Sequence, residues 1–202
     1  MYAYIKGSIE FKASNYVIVE VMGIGYKIFM GESSINSIGD IGTKVKIYTH
    51  YHVREDDISL YGFKTNEELR MFELLISVSG VGGKTALVML SSMEPSSFAL
   101  AIITNDINKL VKIPGIGKKT AARIVLELKD KLKEEETTVS KNTDEVENKL
   151  IDNEKVEEAV SALQVLGYSK REIERTIEKL NSEELSLEDL IKEGLKYLSN
   201  KN

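Results

Sequence analysis

The chain has 202 residues, of which 42% are hydrophobic and 29% charged, enough apolar material for one large core or several small ones. It contains no cysteine, which excludes disulfides, thiolate zinc sites and cysteine nucleophiles. The net charge of −5 argues, taken alone, against nucleic acid as a partner, and the lack of a leader-like or membrane-spanning apolar run predicts a soluble cytoplasmic protein.

Residues 1–63 have the pattern of short β-strands. The segments YAYIKGSIEF, YVIVEVMGIGYKIFM, KVKIYTHYHV and ISLYGF are rich in Tyr, Val, Ile and Phe, and turn-forming residues separate them. So many short strands favour a small antiparallel barrel or sandwich. The Gly-Ile-Gly at 23–25 lies inside a strand pattern, which favours a bulge or sharp bend over an anion site.

From Asn66 onward the apolar residues recur at helical spacing. Leu69, Phe72, Leu75 and Ile76 share one face of the first predicted helix. The segments SSFALAIIT, NDINKLVKI and KKTAARIVLELKDKL continue the helical pattern through Leu132. We therefore predict an all-α domain over residues 64–133.

The last third of the chain divides into a polar segment and a helical one. Residues 134–153 carry two basic and seven acidic residues with few large apolar ones, which predicts a flexible acidic linker. Beyond it, apolar residues recur at helical spacing from Val156 to Leu180, and the capping patterns SKRE and SLED begin further helices at Ser169 and Ser186. We predict a bundle of three helices over 154–202.

The positive charge is concentrated in the predicted all-α domain. Residues 64–133 carry 11 basic and 7 acidic side chains, whereas the other segments are close to neutral or acidic. Any polyanion should therefore meet this domain first.

The stretch SGVGGKTALVML, residues 79–90, resembles a nucleotide-binding phosphate loop only in part. That loop requires G-x-x-x-x-G-K-[ST], and the position of its first glycine is occupied by Val78. The stretch also follows a helical pattern rather than a parallel strand. The sequence therefore argues against an intrinsic ATPase.

The same stretch is one of two copies. LISVSGVGGKTA, 75–86, aligns without gaps on LVKIPGIGKKTA, 110–121, and internal repetition indicates a structural unit used twice. Each copy predicts a helix, a tight G-x-G hairpin and a second helix, whose bare amides form an anion site. Lysines in the first turn oppose the helix dipole, which favours a bound anion.

One such hairpin alone is more often a simple connection, but two in the only basic segment favour contacts to DNA phosphates without sequence readout. Arg123 lies four residues after Lys119 on the same helical face, within reach of an adjacent phosphate. The predicted phosphate-binding residues are Gly80, Gly82, Gly83, Lys84, Thr85, Gly115, Gly117, Lys118, Lys119, Thr120 and Arg123.

GVGGK and GIGKKTAARIVLELK resemble the paired helix-hairpin-helix motifs of the RuvA family, which recognises Holliday junctions in bacteria. THYHVREDDISLYGF resembles that family's end-of-barrel segment, and the acidic linker and helical tail follow in the expected order. The resemblance covers essentially the whole chain, strongest over 49–132 and weakest after 133. One departure is Gly83, where relatives often carry proline, which predicts a more flexible first hairpin.

The resemblance implies an α+β multidomain protein with an OB-like β-barrel, a tandem helix-hairpin-helix domain and a tethered third domain. It also implies a fourfold-symmetric homotetramer, or two stacked tetramers, that holds a four-way junction open and square-planar. The third domain would engage RuvB, the hexameric ATPase, and the RuvC resolvase is a further implied partner. The protein would then be no enzyme and need no cofactor.

The acidic turn REDD, residues 54–57, lies between two predicted strands and by itself indicates only a solvated turn. By resemblance, Glu55 and Asp56 match the family's acidic pin, four copies of which meet at the junction centre and repel phosphates. Asp57 has no assigned role.

Two other functions remain open. A nuclease or glycosylase would use the hairpins to grip duplex DNA and the carboxylates of Glu55, Asp56 and Asp57 for chemistry. A protein-binding adaptor would have no use for the hairpin lysines.

Two weaker features are noted beside these. His50 and His52 share a strand face but are more typical of barrel or surface residues than of a metal site, so we predict none. Leu166 and Tyr168 flank a glycine turn and would dock a partner if exposed, although core packing is the favoured interpretation.

Overall fold

The computed structural model of the chain describes residues 2–55, 57–139, 154–180 and 184–199. It divides into two compact units. The first comprises Met1–Ser77 and Val81–Met93, and the second comprises Val78–Gly80 and Glu94–Asn202.

The first unit contains a closed five-stranded barrel, which confirms the predicted OB-like domain. Its strands are β1 (Tyr4–Lys12), β2 (Tyr16–Val21), β3 (Ile24–Phe29), β4 (Lys44–Val53) and β5 (Ile58–Phe63). They follow the order β1-β2-β3-β5-β4 around the barrel. All neighbouring pairs are antiparallel except β3 and β5, which pair in parallel at Phe29 and Tyr61.

Two local features of the barrel differ from a simple run of strands. The second predicted strand is a hairpin, because Val21 pairs with Ile24 across a two-residue turn in which Met22 and Gly23 have φ of 50° and 84°. The expected sharp bend is therefore correct. A short helix, α1 (Glu32–Ser37), follows β3 and was not anticipated from the sequence.

The barrel core comes from alternate residues of the strands, as the period of two requires. Val17 and Val19 of β2 point inward, and Ile35 of α1 covers one end. The buried cluster consists of Ile5, Val17, Val19, Ile28, Met30, Ile35, Ile47 and Leu60.

Two helices complete the first unit. α2 (Asn66–Ile76) begins at Thr65, whose hydroxyl accepts a hydrogen bond from Glu68 N, and α3 is Gly83–Ser92. α2 packs on β4 and β5 through Phe72, whose ring lies 4.8 Å from that of Phe63 and 5.0 Å from that of Tyr61. Phe72 and Leu75 are buried as the helical period predicts, and Met71 is buried with them.

The second unit is helical. Its first part holds α4 (Pro95–Ile103), α5 (Ile107–Val111) and α6 (Lys118–Val139). α4 and α5 both pack on α6 through fully buried residues such as Phe98, Leu110 and Ile124. α6 extends six residues into the segment predicted as a linker, and the rest of that segment, 140–153, lies outside the described residues.

The C-terminal part of the second unit is the predicted three-helix bundle. It contains α7 (Glu154–Val165), α8 (Lys170–Ile177) and α9 (Leu187–Ser199), and α7 and α9 also contact α4. Both predicted starts are correct: Ser169 and Glu172 form a reciprocal capping box, and Ser186 Oγ accepts from Asp189 N at 3.1 Å.

No single described helix is long and apolar enough to cross a membrane. The bent pair α3 and α4 would be so only if taken together, by length and composition alone.

Candidate nucleic-acid interface

The first G-x-G turn leads directly into α3. Gly80 has φ of +86°, in the left-handed region that favours glycine. Gly82 caps α3 through its carbonyl, which accepts from Ala86 N at 2.9 Å. A Cβ on Gly82 would meet no heavy atom within 4 Å, so open space lies over the backbone there. A phosphate has room to approach these amides.

The second turn repeats this geometry before α6. Gly115 has φ of +81°, the Gly117 carbonyl accepts from Ala121 N at 2.9 Å, and open space also surrounds Gly117. The apolar residues of the two copies are buried alike, in the pairs Val78 and Ile113, Val81 and Ile116, and Ala86 and Ala121. The sequence repeat is therefore a structural repeat.

Lysines lie at the start of both helices. Lys84 is the second residue of α3, and Lys118 and Lys119 are the first two of α6, all exposed. In the described parts of the chain, none of the three forms an ion pair. Each opposes the positive end of its helix dipole, at a cost of about 0.3 to 1 kcal/mol. A phosphate bound at the helix start would attract the lysine and so make its net electrostatic interaction favourable.

Arg123 contacts the protein itself as well as solvent. Its Nη1 donates to the Ser79 carbonyl at 3.2 Å, and Glu127 Oε2 accepts from Ser79 N at 3.2 Å. Arg123 and Glu127, one turn apart on α6, thus bind the carbonyl and the amide of Ser79, the residue before Gly80. Arg123 was expected only to reach a phosphate, and the structure gives it this bracing contact in addition.

Gly83 is a packing residue. A Cβ at this position would lie 2.5 Å from Cζ of Tyr61, so the glycine is buried against β5. The expectation of a more flexible first hairpin stays a prediction, and the structure adds that the Tyr61 ring occupies the space that a side chain at Gly83 would need.

The acidic turn connects β4 to β5. Arg54 N donates to the Asp57 carbonyl at 2.8 Å, and the buried Ser59 donates its hydroxyl to Asp57 Oδ2 at 2.6 Å. Glu55 is exposed, and its partner in the predicted pin, Asp56, lies outside the described residues. Asp57 therefore closes the base of the turn, a role that the sequence left unassigned.

The two histidines stand beside this turn. His52 Nε2 accepts from Arg54 Nε at 2.9 Å, and the pKa of His52 is lowered by burial first and by the Arg54 charge second. His50 Nδ1 lies 3.1 Å from Glu73 Oε1 of α2. No group of three His, Asp or Glu side chains able to hold a metal ion occurs among the residues that the structure describes.

Three family models match successive parts of the chain. They are the RuvA N terminal domain over residues 1–62, the SAM-like helix-hairpin-helix tandem over 72–130, and the RuvA C-terminal domain over 154–199. A protein of Acetivibrio thermocellus named Holliday junction branch migration complex subunit RuvA is 52% identical over 200 residues, covering 98% of this chain and 99% of the relative. The chain belongs to the RuvA family.

Further relatives with the same name are similar over equal length. The protein of Ruminiclostridium cellulolyticum is 51% identical over 199 residues, covering 98% of this chain and 100% of the relative. That of Clostridium perfringens is 44% identical over 202 residues, covering 98% and 99%. The RuvA family resemblance inferred from the two hairpins is thus confirmed.

The C-terminal pair does not form an exposed apolar surface in this RuvA-family chain. Leu166, the residue after the end of α7, is only 3% exposed and belongs to the buried core. Tyr168 is half-buried, and its amide donates to the Leu163 carbonyl at 3.3 Å. The burial of Leu166 agrees with the favoured interpretation of core packing, and a docking role for the pair stays a prediction.

Sequence reasoning missed the residues that support the site. Glu127 and Tyr61 lie outside the repeated motif, yet Glu127 accepts from Ser79 N and Tyr61 packs against Gly83. Ser59 supports the acidic turn instead, through its bond to Asp57. The spacing of Arg123 and Glu127, one helical turn apart, was a signal that both reach the same neighbour.

Proposed function

We propose that this protein is the junction-binding subunit of a Holliday junction branch migration complex, acting with the RuvB ATPase in recombination and DNA repair. The observation that carries the proposal is the pair of matched hairpins, each with a left-handed glycine, open space over the backbone amides and exposed lysine at a helix start. Full-length relatives named as RuvA subunits support the same function.

The hairpins hold the arms by their phosphates. Backbone amides at Gly82 and Gly117 and the ammonium groups of Lys84 and Lys119 supply positive charge without contacting base edges. Binding should therefore depend on branched structure and salt rather than on sequence. Thr85 and Thr120 occupy equivalent half-buried positions beside the lysines.

Glu55 and Asp56 form the acidic pin in this proposal. Their negative charge at the junction centre repels phosphates and keeps the strands apart, while the hairpins attract the arms. The proposal includes a homotetramer, single or doubled, because one chain supplies only one pin and one pair of hairpins. It also includes a contact with the RuvC resolvase and a cytoplasmic location.

The protein is non-catalytic, and the ATP-driven motor is its partner RuvB. Residues 1–63 supply the tetramer and the junction centre, 64–133 grip DNA, and 154–202 bind the ATPase. The nuclease alternative is not favoured, because relatives over the full length are named as branch migration subunits and Asp57 is engaged by Ser59.

The deciding experiment compares affinities for a synthetic four-way junction and for linear duplex of equal length and composition, with magnesium and fixed salt. We expect a preference of about a hundredfold or more, about 2.7 kcal/mol. Equal affinities for junction and duplex would contradict the proposal. Magnesium-dependent cleavage of the DNA that is lost in the double variant Glu55→Gln, Asp56→Asn would establish a nuclease instead.

A lysine pair tests the hairpins within the same assay. Lys84→Ala with Lys119→Ala should weaken junction binding and reduce its salt slope by nearly two for each subunit that contacts DNA, since each phosphate contact contributes about 0.9. Lys192→Ala with Lys196→Ala on α9 removes equal charge and serves as the control. An unchanged slope in the hairpin variant would indicate an adaptor without DNA contacts there.

A further inference from the structure

A second concentration of positive charge lies on the barrel, outside the hairpins. β1 and β4 pair with Tyr4 opposite Tyr48, Lys6 opposite Lys46 and Ser8 opposite Lys44. These residues alternate with the buried Ile5, Ile9 and Ile47, so their side chains share the outward surface. We call the set Tyr4, Lys6, Lys44, Lys46 and Tyr48 the β1/β4 face.

The arrangement of its lysines is unfavourable for the isolated chain. Lys6 and Lys46 are directly opposite each other, and like charges in that position destabilise a strand pair. In the part of the chain that the structure describes, Lys6, Lys44 and Lys46 form no ion pair with a carboxylate. Of the acidic residues on the neighbouring strands, Glu20 faces Ser8 from β2, where its Oε1 accepts from Gly23 N, and the exposed Glu10 lies on β1 four residues after Lys6.

The face also concentrates charge from a barrel that is nearly neutral. Residues 1–63 contain six basic and seven acidic side chains, and β1 and β4 together carry four of the six basic ones, Lys6, Lys12, Lys44 and Lys46, against one acidic residue, Glu10. A merely solvated surface would not require this segregation, because interspersed charges satisfy solubility equally well.

The two tyrosines hold one of the ammonium groups in place. Lys46 Nζ lies 4.8 Å from the ring centroid of Tyr4 and 4.4 Å from that of Tyr48, and it donates to the Tyr48 hydroxyl at 3.1 Å. Cation–π contacts of this kind order a flexible side chain without neutralising its charge. Lys46 is therefore a pre-positioned cation, with Lys6 and Lys44 exposed beside it.

We propose that the β1/β4 face is an additional contact for the phosphate backbone of a DNA duplex arm. The inference rests on the proposed function for the identity of the polyanion, and it adds a binding surface on the barrel to that of the hairpins. The charge complementarity is direct, because a phosphate between Lys6 and Lys46 replaces their repulsion by two attractions.

The face and the acidic turn lie at different points along the same strand. Lys46 is seven residues before Val53 at the end of β4, up to about 23 Å of extended chain. In this proposal, the lysines near the start of β4 attract the phosphates of a duplex arm, and the acidic turn after its end repels phosphates from the junction centre.

The test is the triple variant Lys6→Gln, Lys44→Gln and Lys46→Gln in the full chain. Each variant is titrated with a four-way junction and with linear duplex over a series of salt concentrations. Lys170→Gln, Lys192→Gln and Lys196→Gln on α8 and α9 provide a control of equal net charge. We expect the slope of log affinity against log salt to fall by about two to three for each subunit that contacts DNA, and in the β1/β4 variant only.

Light scattering on both variants separates this proposal from its alternative. A reduced slope with unchanged particle mass supports a DNA contact. An unchanged slope overturns the proposal, and a changed particle mass overturns it in favour of an interface between copies of this chain. Failure of the proposed function is a separate outcome, since it is measured as equal affinity of the unaltered chain for junction and duplex.

Discussion

The ring of Tyr61 in the barrel packs directly against the backbone of Gly83 at the start of α3. A Cβ on Gly83 would lie 2.5 Å from Tyr61 Cζ and 2.6 Å from its hydroxyl oxygen. The ring is held on its other sides by Phe72 at 5.0 Å and Phe29 at 6.0 Å. Burial, and then the charge of Asp57, raises the pKa of Tyr61. The start of α3 thus packs directly against Tyr61 of β5, and this close contact requires a residue without a side chain at position 83.

Gly83→Ala should destabilise the protein by about 1 to 3 kcal/mol, the usual cost of overpacking. The neighbouring change Gly82→Ala is the matched control, because its Cβ meets open space and its φ of −94° suits any residue. Urea denaturation measures both free energies of unfolding. Equal stabilities for the two variants would show that the Tyr61 ring moves aside freely.

Glu127→Ala should loosen the first hairpin, because Ser79 N loses its acceptor on α6. We expect faster hydrogen exchange at the Ser79 amide and a several-fold loss of junction affinity, with global stability lowered by about 1 kcal/mol. Asp130→Ala, on an exposed position of the same helix, removes the same charge without touching Ser79. If both variants lose affinity equally, charge rather than bracing explains the effect.

His52 should make stability depend on pH. Its folded-state pKa is lowered from 6.5 by burial and by the charges of Arg54 and His50, against a smaller opposing effect of Asp57. The unfolded chain therefore binds more protons below about pH 6.5, so stability falls as the pH falls through that region.

The variant His52→Gln isolates this contribution. Urea midpoints at pH 7.5 and 5.5 should shift less in the variant than in the parent chain, because the other titrating groups cancel in the comparison. A variant with an equal or larger shift would show that His52 does not carry the pH dependence.

The sequence was most informative where local physics decides the structure. The period of the apolar residues located the barrel strands and the helices, and a repeat with glycines at fixed positions located both hairpins. The capping pairs at Ser169 and Ser186 were correct because a cap involves residues only three apart.

Contacts between distant residues were beyond sequence reasoning. The bond of Ser79 to Arg123 and the fit of Tyr61 against Gly83 join positions 44 and 22 residues apart, and nothing in either local pattern specifies the partner. The inward direction of Leu166 likewise depends on how α7 packs in its bundle. α1 was missed because its six residues are too short for a helical period to emerge.

Glu55 and Asp57 should behave differently although both belong to the acidic turn. Glu55 is exposed, so Glu55→Gln should leave the free energy of unfolding within about 0.5 kcal/mol and tighten junction binding by removing repulsion. Asp57→Ala should lower stability by about 1 kcal/mol, because the buried Ser59 hydroxyl loses its acceptor. Urea denaturation and junction titration of each variant separate the two roles, and a stability loss in Glu55→Gln would assign that carboxylate to the turn rather than to the pin.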